Sequence, residues 1–418
     1  MSNKKEKAAM TTAAEALVLV PKLRFPGFRD EWEWTALGEC LDYQQPTDYL
    51  VSATNYSNSY SVPVLTAGKT FILGYTNETH GVFSEGLPVI IFDDFTTATQ
   101  FVDFPFKAKS SAMKILQARG GANIKFMYEL MRMIAYEVGA HERHWISKFA
   151  PMLVLVPQTE EQQKIADCLA SIDELITLES QRLDHLKLYK KGLMQQLFPA
   201  EGETVPRLRF PEFRDAGEWE LVSLNKIARR CTQKNRSGAI TRVLTNSAEY
   251  GVVDQRDYFD KDIATQDNLE KYYIVEKGDY VYNPRISAAA PVGPISKNNV
   301  ATGVMSPLYS VFRFGDDNND FYAHYFKTTG WHQYMRQASS TGARHDRMAI
   351  TNDDFMAMPL PISTLEEQQK IADCLASIDE LITLESQRLD HLKLCKKGLM
   401  QQLFPVPDGF SAAQAGNT

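Results

Sequence analysis

Three short stretches carry residue types that could do chemistry. His141-Glu142-Arg143-His144 puts two imidazoles beside a carboxylate, the side chains from which zinc sites are made. The helical zinc motif needs its histidines four apart; these are three apart, so no metal site is expected. Asp93-Asp94 could hold a metal in a nuclease, but no matching acidic and lysine constellation follows. A turn after a buried strand is the expected role. Tyr282-Asn283-Pro284-Arg285 only vaguely resembles an Asn-Pro-Pro-aromatic box that holds a flipped base; it lacks the second proline and the aromatic, and no cofactor loop accompanies it, so no such site is expected. Neither GxGxxG nor GxxxxGK[ST] occurs, so no phosphate cradle is visible. Cys40, Cys168, Cys231, Cys374 and Cys395 form no CxxC pair and are expected as free thiols in a reducing cytoplasm. No catalytic residue is expected, and the chain reads as a binding protein.

The elements that would position a binding surface are plainer, because one of them occurs twice. Segment 160–199 reads EEQQKIADCLASIDELITLESQRLDHLKLYKKGLMQQLFP, and 366–405 repeats it with Tyr189 replaced by Cys395. A shorter echo precedes each copy: VPKLRFPGFRD at 20–30 and VPRLRFPEFRD at 205–215. Stepping by four and three from Ile165 meets Leu169, Ile172, Ile176, Glu179, Leu183, Leu186, Lys190, Leu193 and Leu197. Eight of these ten are apolar, which is the seam of a coiled coil. The second copy gives Ile371, Leu375, Ile378, Ile382, Leu389, Leu392, Leu399 and Leu403. Thr159 with Gln162 resembles a capping box, and Ser363 or Thr364 before Glu366 and Glu367 offers the same. Pro199 and Pro405 stop the helices, each about 60 Å long.

Acidic residues fill the first half of each helix, and Arg182, Lys187, Lys190 and Lys191 mark the second half of the first copy. Identical helices side by side match opposite charges only when antiparallel. An antiparallel pair with pseudo-twofold symmetry is therefore expected. Tyr189 and Cys395 should not meet in such a pair, and each is expected to pack locally.

Between the repeats lie short Val/Ile/Tyr/Phe runs punctuated by Gly, Asn, Asp and Pro, the pattern of strands and turns. The fold class expected is α+β, two mixed α/β domains joined by two long helices. Its parts are a flexible tail (1–20), a first domain (21–157), a central helix (158–199), a second domain (200–361), a C-terminal helix (362–405) and a tail (406–418). A net charge of −7 argues against indiscriminate polyanion binding but leaves room for a local basic face. No apolar run approaches the roughly 20 residues that span a bilayer, so no membrane is expected.

The whole chain after residue 20 resembles the specificity subunits of type I restriction–modification enzymes. The likeness is carried by EEQQKIAxxLxxIDxLI, PVLTAGKTFILGY (63–75), VIIFDDFTT (89–97), FPFKAKSSAMKIL (104–116), IVEKGDYVYNPR (274–285) and ATGVMSPLY (301–309). It implies two target recognition domains, each reading one half of a bipartite asymmetric site in double-stranded DNA. The paired helices would set the gap and dock two modification (methyltransferase) subunits, with two restriction (endonuclease and translocase) subunits beyond them. No cofactor is expected on this chain. S-adenosylmethionine, ATP and Mg are implied for the partners, whose assembly would be an adenine methyltransferase and ATP-dependent endonuclease. The alternative is a structural coiled-coil adaptor that binds proteins through its two globular domains.

Base reading needs Arg or Lys for guanine, Asn or Gln for adenine and Ser or Thr for either. Phosphate contacts need cations and small polar groups. The candidates in the first domain are Thr66, Lys69, Lys107, Lys109, Ser110, Ser111, Arg143 and Lys148. Those in the second are Arg242, Asn283, Arg285, Lys297, Arg344, His345 and Arg347, the last three in the polar loop 339–347.

Overall fold

The computed structural model describes residues 20–405, except 67, 69, 137, 139–142, 259–265 and 340–345. The tails 1–19 and 406–418 lie outside the described residues. Two compact units account for the chain: 1–180 with 387–418, and 181–386. Each long helix, Thr159–Leu197 and Leu365–Leu403, gives its halves to different units.

In the first unit β1 (Glu33–Ala36) pairs antiparallel with β9 (Leu153–Val156), the strand that leads into the first long helix. The main sheet orders β2 (Leu41–Gln44), β8 (Met113–Ala118), β5 (Val89–Asp93) and β6 (Thr99–Val102), all antiparallel. A smaller sheet orders β4 (Ile72–Thr76), β3 (Val62–Leu65) and β7 (Lys107–Ala108), the last pair parallel. Alternation sorts the strongest strand: Ile90 and Phe92 face the core with Trp32 and the helix Ile124–Met133, while Val89 and Ile91 face the small sheet.

The second unit repeats this plan with an unlike sequence. β10 (Glu220–Ser223) pairs with β19 (Pro359–Ile362) before the second long helix. Its main sheet orders β11 (Ala228–Arg230), β18 (Ser310–Phe314), β15 (Tyr280–Tyr282) and β16 (Ile295–Lys297). The hairpin β12 (Leu244–Ser247) and β13 (Gly251–Asp254) matches β3–β4. A parallel bridge, Val243 to Val304, stands where β3 meets β7. β14 (Tyr273–Val275), paired with β17 (Gly303–Met305), extends what is a single antiparallel bridge, Phe83 to Phe106, in the first unit. Aromatic residues fill this core, with Tyr280, Phe312, Phe314 and Tyr322 in a chain of ring contacts.

Every seam position of both helices is buried or half-buried. Within the first unit Ile165 and Leu169 share a core with Leu399, Met400 and Leu403. Asp173 meets Lys396 at 2.6 Å and Glu179 meets Arg388 at 3.0 Å, so indices rise on one segment as they fall on the other. Within the second unit Arg182 meets Glu385 at 3.0 Å and Lys190 meets Asp379, with the same opposed sense. In each unit the two segments therefore run antiparallel. Tyr189 and Cys395 are both exposed rather than packed locally.

Half of the expected capping box forms, in one copy only, because the Glu367 carboxylate is taken by Arg209 and Trp219. Thr364 Oγ1 accepts from Glu367 N at 3.3 Å, whereas Gln162 is drawn away, accepting from Asn123 N and donating to Pro157 O. The echo before each helix also has a structural role. Arg24 forks onto Glu161 with both bonds at 2.7 Å, and Arg209 onto Glu367 at 2.6 and 2.8 Å.

His324 in the helix Asp320–Tyr325 is buried, and its pKa falls to about 4, through burial first and then the nearby Lys190 and Lys327. Between the ordinary value of about 6.5 and that lowered value, the unfolded chain binds a proton that the folded one refuses. Stability is thus intact above pH about 6.5 and falls by about 3 kcal/mol as pH drops through this window. Urea melts of the second unit from pH 7 to pH 4 should show the loss, and His324→Gln should flatten it. An unchanged slope in the variant would assign the acid sensitivity elsewhere.

Candidate nucleic-acid interface

In the first unit three strand ends meet. The carbonyl of Leu65, where β3 ends, accepts from Lys109 N at 2.9 Å, so Thr66 and Lys109 lie side by side. The turn holding Ser110 and Ser111 opens β8, and its Ala112 carbonyl accepts from Asp94 N at 3.0 Å. The Asp94 carbonyl in turn accepts from His144 N at 2.9 Å, bringing Arg143 to the same edge. Ser110, Ser111 and Arg143 are exposed there; Thr66, Lys109 and Lys148 are half-exposed. Lys109 sits 5.7 Å from the ring centre of Tyr56, and Thr66 donates to Thr70 O at 2.6 Å within its own turn.

A buried ion pair underlies this edge. Asp94 and Lys114 are each 1% exposed and 3.1 Å apart, and Asp94 Oδ1 also accepts from Trp145 N at 2.9 Å. The His144 Nδ1 lies 2.9 Å from the Asp94 carbonyl. Asp93 closes the turn after β5, its Oδ1 accepting from Phe95 N and Thr96 N. Both aspartates are thus spent on structure. No group of three His, Cys, Asp or Glu residues suited to a metal exists among the described residues. His141 and Glu142 lie outside them.

The second unit builds the corresponding edge after β15. Ile286 N donates to Asp346 O at 3.0 Å and Met348 N to Pro284 O at 2.9 Å, pairing segments about 60 residues apart. This brings Arg285 and Arg347 together around Asp346, at 3.8 and 3.9 Å. Arg285 is 65% exposed and Arg347 27%. The same strand end therefore carries the candidate residues in both units: 93–94 facing 143–145 in one, 283–285 facing 346–348 in the other. Arg344 and His345 lie outside the described residues, as does Lys69. Arg242 is exposed, 3.6 Å from Asp254.

The geometry corrects one candidate and engages two others within the fold. Lys107 is 3% exposed and gives its ammonium to Glu78 at 3.0 Å and His80 O at 2.6 Å, so it has no reach to a ligand. Asn283 has both ends of its amide engaged, donating to Asn246 O and accepting from Arg285 N. It holds the strand end, and Gly293 is required beside it because a Cβ there would stand 2.1 Å from the Asn283 carbonyl. Lys297 is tied to Asp320 at 2.8 Å.

A family model described as "Type I restriction modification DNA specificity domain" matches residues 217–394. The specificity subunit of the Escherichia coli type I restriction enzyme EcoR124I/EcoR124II is 30% identical over 368 residues, covering 84% of this chain and 87% of that one. The chain belongs to the type I restriction enzyme specificity subunits. A second specificity subunit, the putative MjaX protein of Methanocaldococcus jannaschii, is 26% identical over 59% of the chain and 57% of its own length. The fold matches a crystal structure of the type I restriction–modification S subunit from M. genitalium, with a TM-score of 0.58 at 13% identity. That match covers 93% of this chain and 99% of the other. Among the described residues no helix is long and apolar enough to cross a membrane.

Proposed function

We propose that this specificity subunit reads a bipartite, asymmetric site in double-stranded DNA, one half by each mixed domain. Each domain would present the strand-end edge that carries Arg143 and Ser110 in one case and Arg285 and Arg347 in the other. The observation that carries this reading is one fold with two unlike edges: sheet order and parallel bridge recur, while the side chains at the edge differ. Unlike side chains on one scaffold suit unlike half-sites. The repeated helices form an antiparallel coiled coil of pseudo-twofold symmetry that fixes the gap. Their exposed leucines, Leu175, Leu178 and Leu188 with Leu381, Leu384 and Leu394, offer two alike apolar stripes to two modification subunits. The chain itself binds no cofactor and catalyses nothing. S-adenosylmethionine, ATP and Mg belong to the modification and restriction subunits, and the assembly works in the cytoplasm.

The test is to map methylated adenines in cells that carry this chain with its modification subunit. One two-part motif with a fixed gap is expected. Arg285→Ala with Arg347→Ala should relax the half-site read by the second domain and leave the other half intact. Methylation without a two-part motif, or equal loss at both halves, would reject the reading.

A further inference from the structure

Each unit has a cleft at the C-terminal end of a long helix, where the repeated lysines stand. In the second unit a cleft of about 530 Å³ is lined by Lys187, Lys191, Arg207 and Lys327, with Thr329 and one carboxylate, Glu201. In the first, a cleft of about 440 Å³ is lined by Arg132, which pairs with Glu129, by Lys393 and Lys397, and by Asp173, which pairs with Lys396. The helix lysines are the same repeated K-x-x-K-K residues in both, while the opposite wall comes from unlike sequence. It supplies a cation each time all the same: Lys327 in one unit, Arg132 in the other.

The middle lysine of each trio is already engaged. Lys190 is buried against Asp379, and Lys396 against Glu129 and Asp173. Lys187, Lys191 and Lys327, with Lys393 and Lys397, enter no ion pair within the described residues. Five lysines without a carboxylate partner give the two clefts a local positive field in a chain of net charge −7. The positive field is felt inside the wall, where Lys190 and Lys327 help keep buried His324 neutral.

Lysine is depleted from the centres of protein–protein interfaces, and lysine with small hydroxyls and backbone N–H groups is what phosphates meet. Thr329 adds a small hydroxyl to the second cleft, whereas Thr328 Oγ1 donates to Tyr325 O at 2.7 Å and accepts from Gly330 N at 3.3 Å. Two identical trios in domains of unlike sequence also suit a ligand feature that does not vary with sequence. We infer that each cleft holds the phosphate backbone of the DNA beside the half-site its unit reads, making sequence-independent contacts through Lys187 and Lys191 in one unit and Lys393 and Lys397 in the other.

This inference rests on the DNA-reading function proposed above. The experiment uses the full chain assembled with its modification subunits and a duplex carrying the mapped site, titrated across salt concentrations. Lys187→Gln with Lys191→Gln, and separately Lys393→Gln with Lys397→Gln, leave the buried pairs in place. Each double variant should lower the slope of log affinity against log salt by about 2 and weaken binding at physiological salt by about 25-fold, about 5-fold per contact. Half-site discrimination should not change. Assembled variants with wild-type slope and affinity would overturn the inference. So would variants that fail to assemble while the assembled fraction binds normally, since the lysines would then serve a protein partner. Wild-type complex that does not distinguish the bipartite duplex from scrambled DNA would instead bring down the underlying reading, and this one with it.

Discussion

Arg209→Ala is expected to destabilise the second unit by about 3–5 kcal/mol, the cost of leaving a buried charge without its partner. Glu367 is 1% exposed and depends on the Arg209 fork, with Trp219 Nε1 adding a bond of 3.2 Å. The guanidinium also donates to the carbonyls of Ala216 and Gly217, at 2.5 and 3.0 Å, fixing the chain that leads to Trp219. Its loss orphans a carboxylate at the start of the second long helix and two carbonyls before β10. Arg209→Lys should not rescue it, because an ammonium cannot present two parallel donors. Urea unfolding should show the lower midpoint, and amide exchange should place it at 206–227 and the first turns of the helix. A variant within about 0.5 kcal/mol of wild type would mean that water replaces the fork. Arg24→Ala should act similarly in the first unit through Glu161, which is 2% exposed.

The same arginines show what sequence could and could not convey. The LRF echo is visible at once, but its partner stands 137 residues away in one copy and 158 in the other. Spacing carries no signal over such distances. The long helices were legible because their pattern is local: a four–three seam, and a proline at each end. Even there the polar seam positions were opaque, since Lys396 finds Glu129 across 267 residues. At the candidate interface, residue type marked cations without showing which were engaged. Lys107 and Lys297 look like Lys109 in the sequence, and only packing shows the first two tied to carboxylates. That both domains are mixed α/β was legible, but the sheet order they share was not. Sheet order is set by which faces are apolar, and many unlike sequences satisfy that.

Lys396→Met and Lys190→Met should differ, although the two lysines occupy the same place in the repeat. Lys396 is 5% exposed and contacts Glu129 at 2.9 Å and Asp173 at 2.6 Å, with Glu129 fully buried. Lys125, at 3.1 Å, and Arg132, also at 3.1 Å, remain to Glu129 after the change, yet a sealed carboxylate loses its closest cation. A loss of about 3 kcal/mol is expected. Lys190 is comparably buried, but its partner Asp379 is 42% exposed and can turn to water. Burial also lowers the Lys190 pKa, with Lys327 adding to the effect against Asp379, so the charge there is held at a cost. Removing it should change stability by no more than about 1 kcal/mol, because the desolvation of the ammonium offsets the pair. Methionine keeps the length and apolar stem of lysine, so a packing defect would appear equally in both variants. Urea midpoints for the two single variants and the double variant would decide it. Equal losses would mean that the seam itself, and not the domain wall each lysine meets, sets the energy. Unequal losses would show how a repeated helix becomes fitted to two different domains: the lysine is constant, and the carboxylate that answers it is supplied locally.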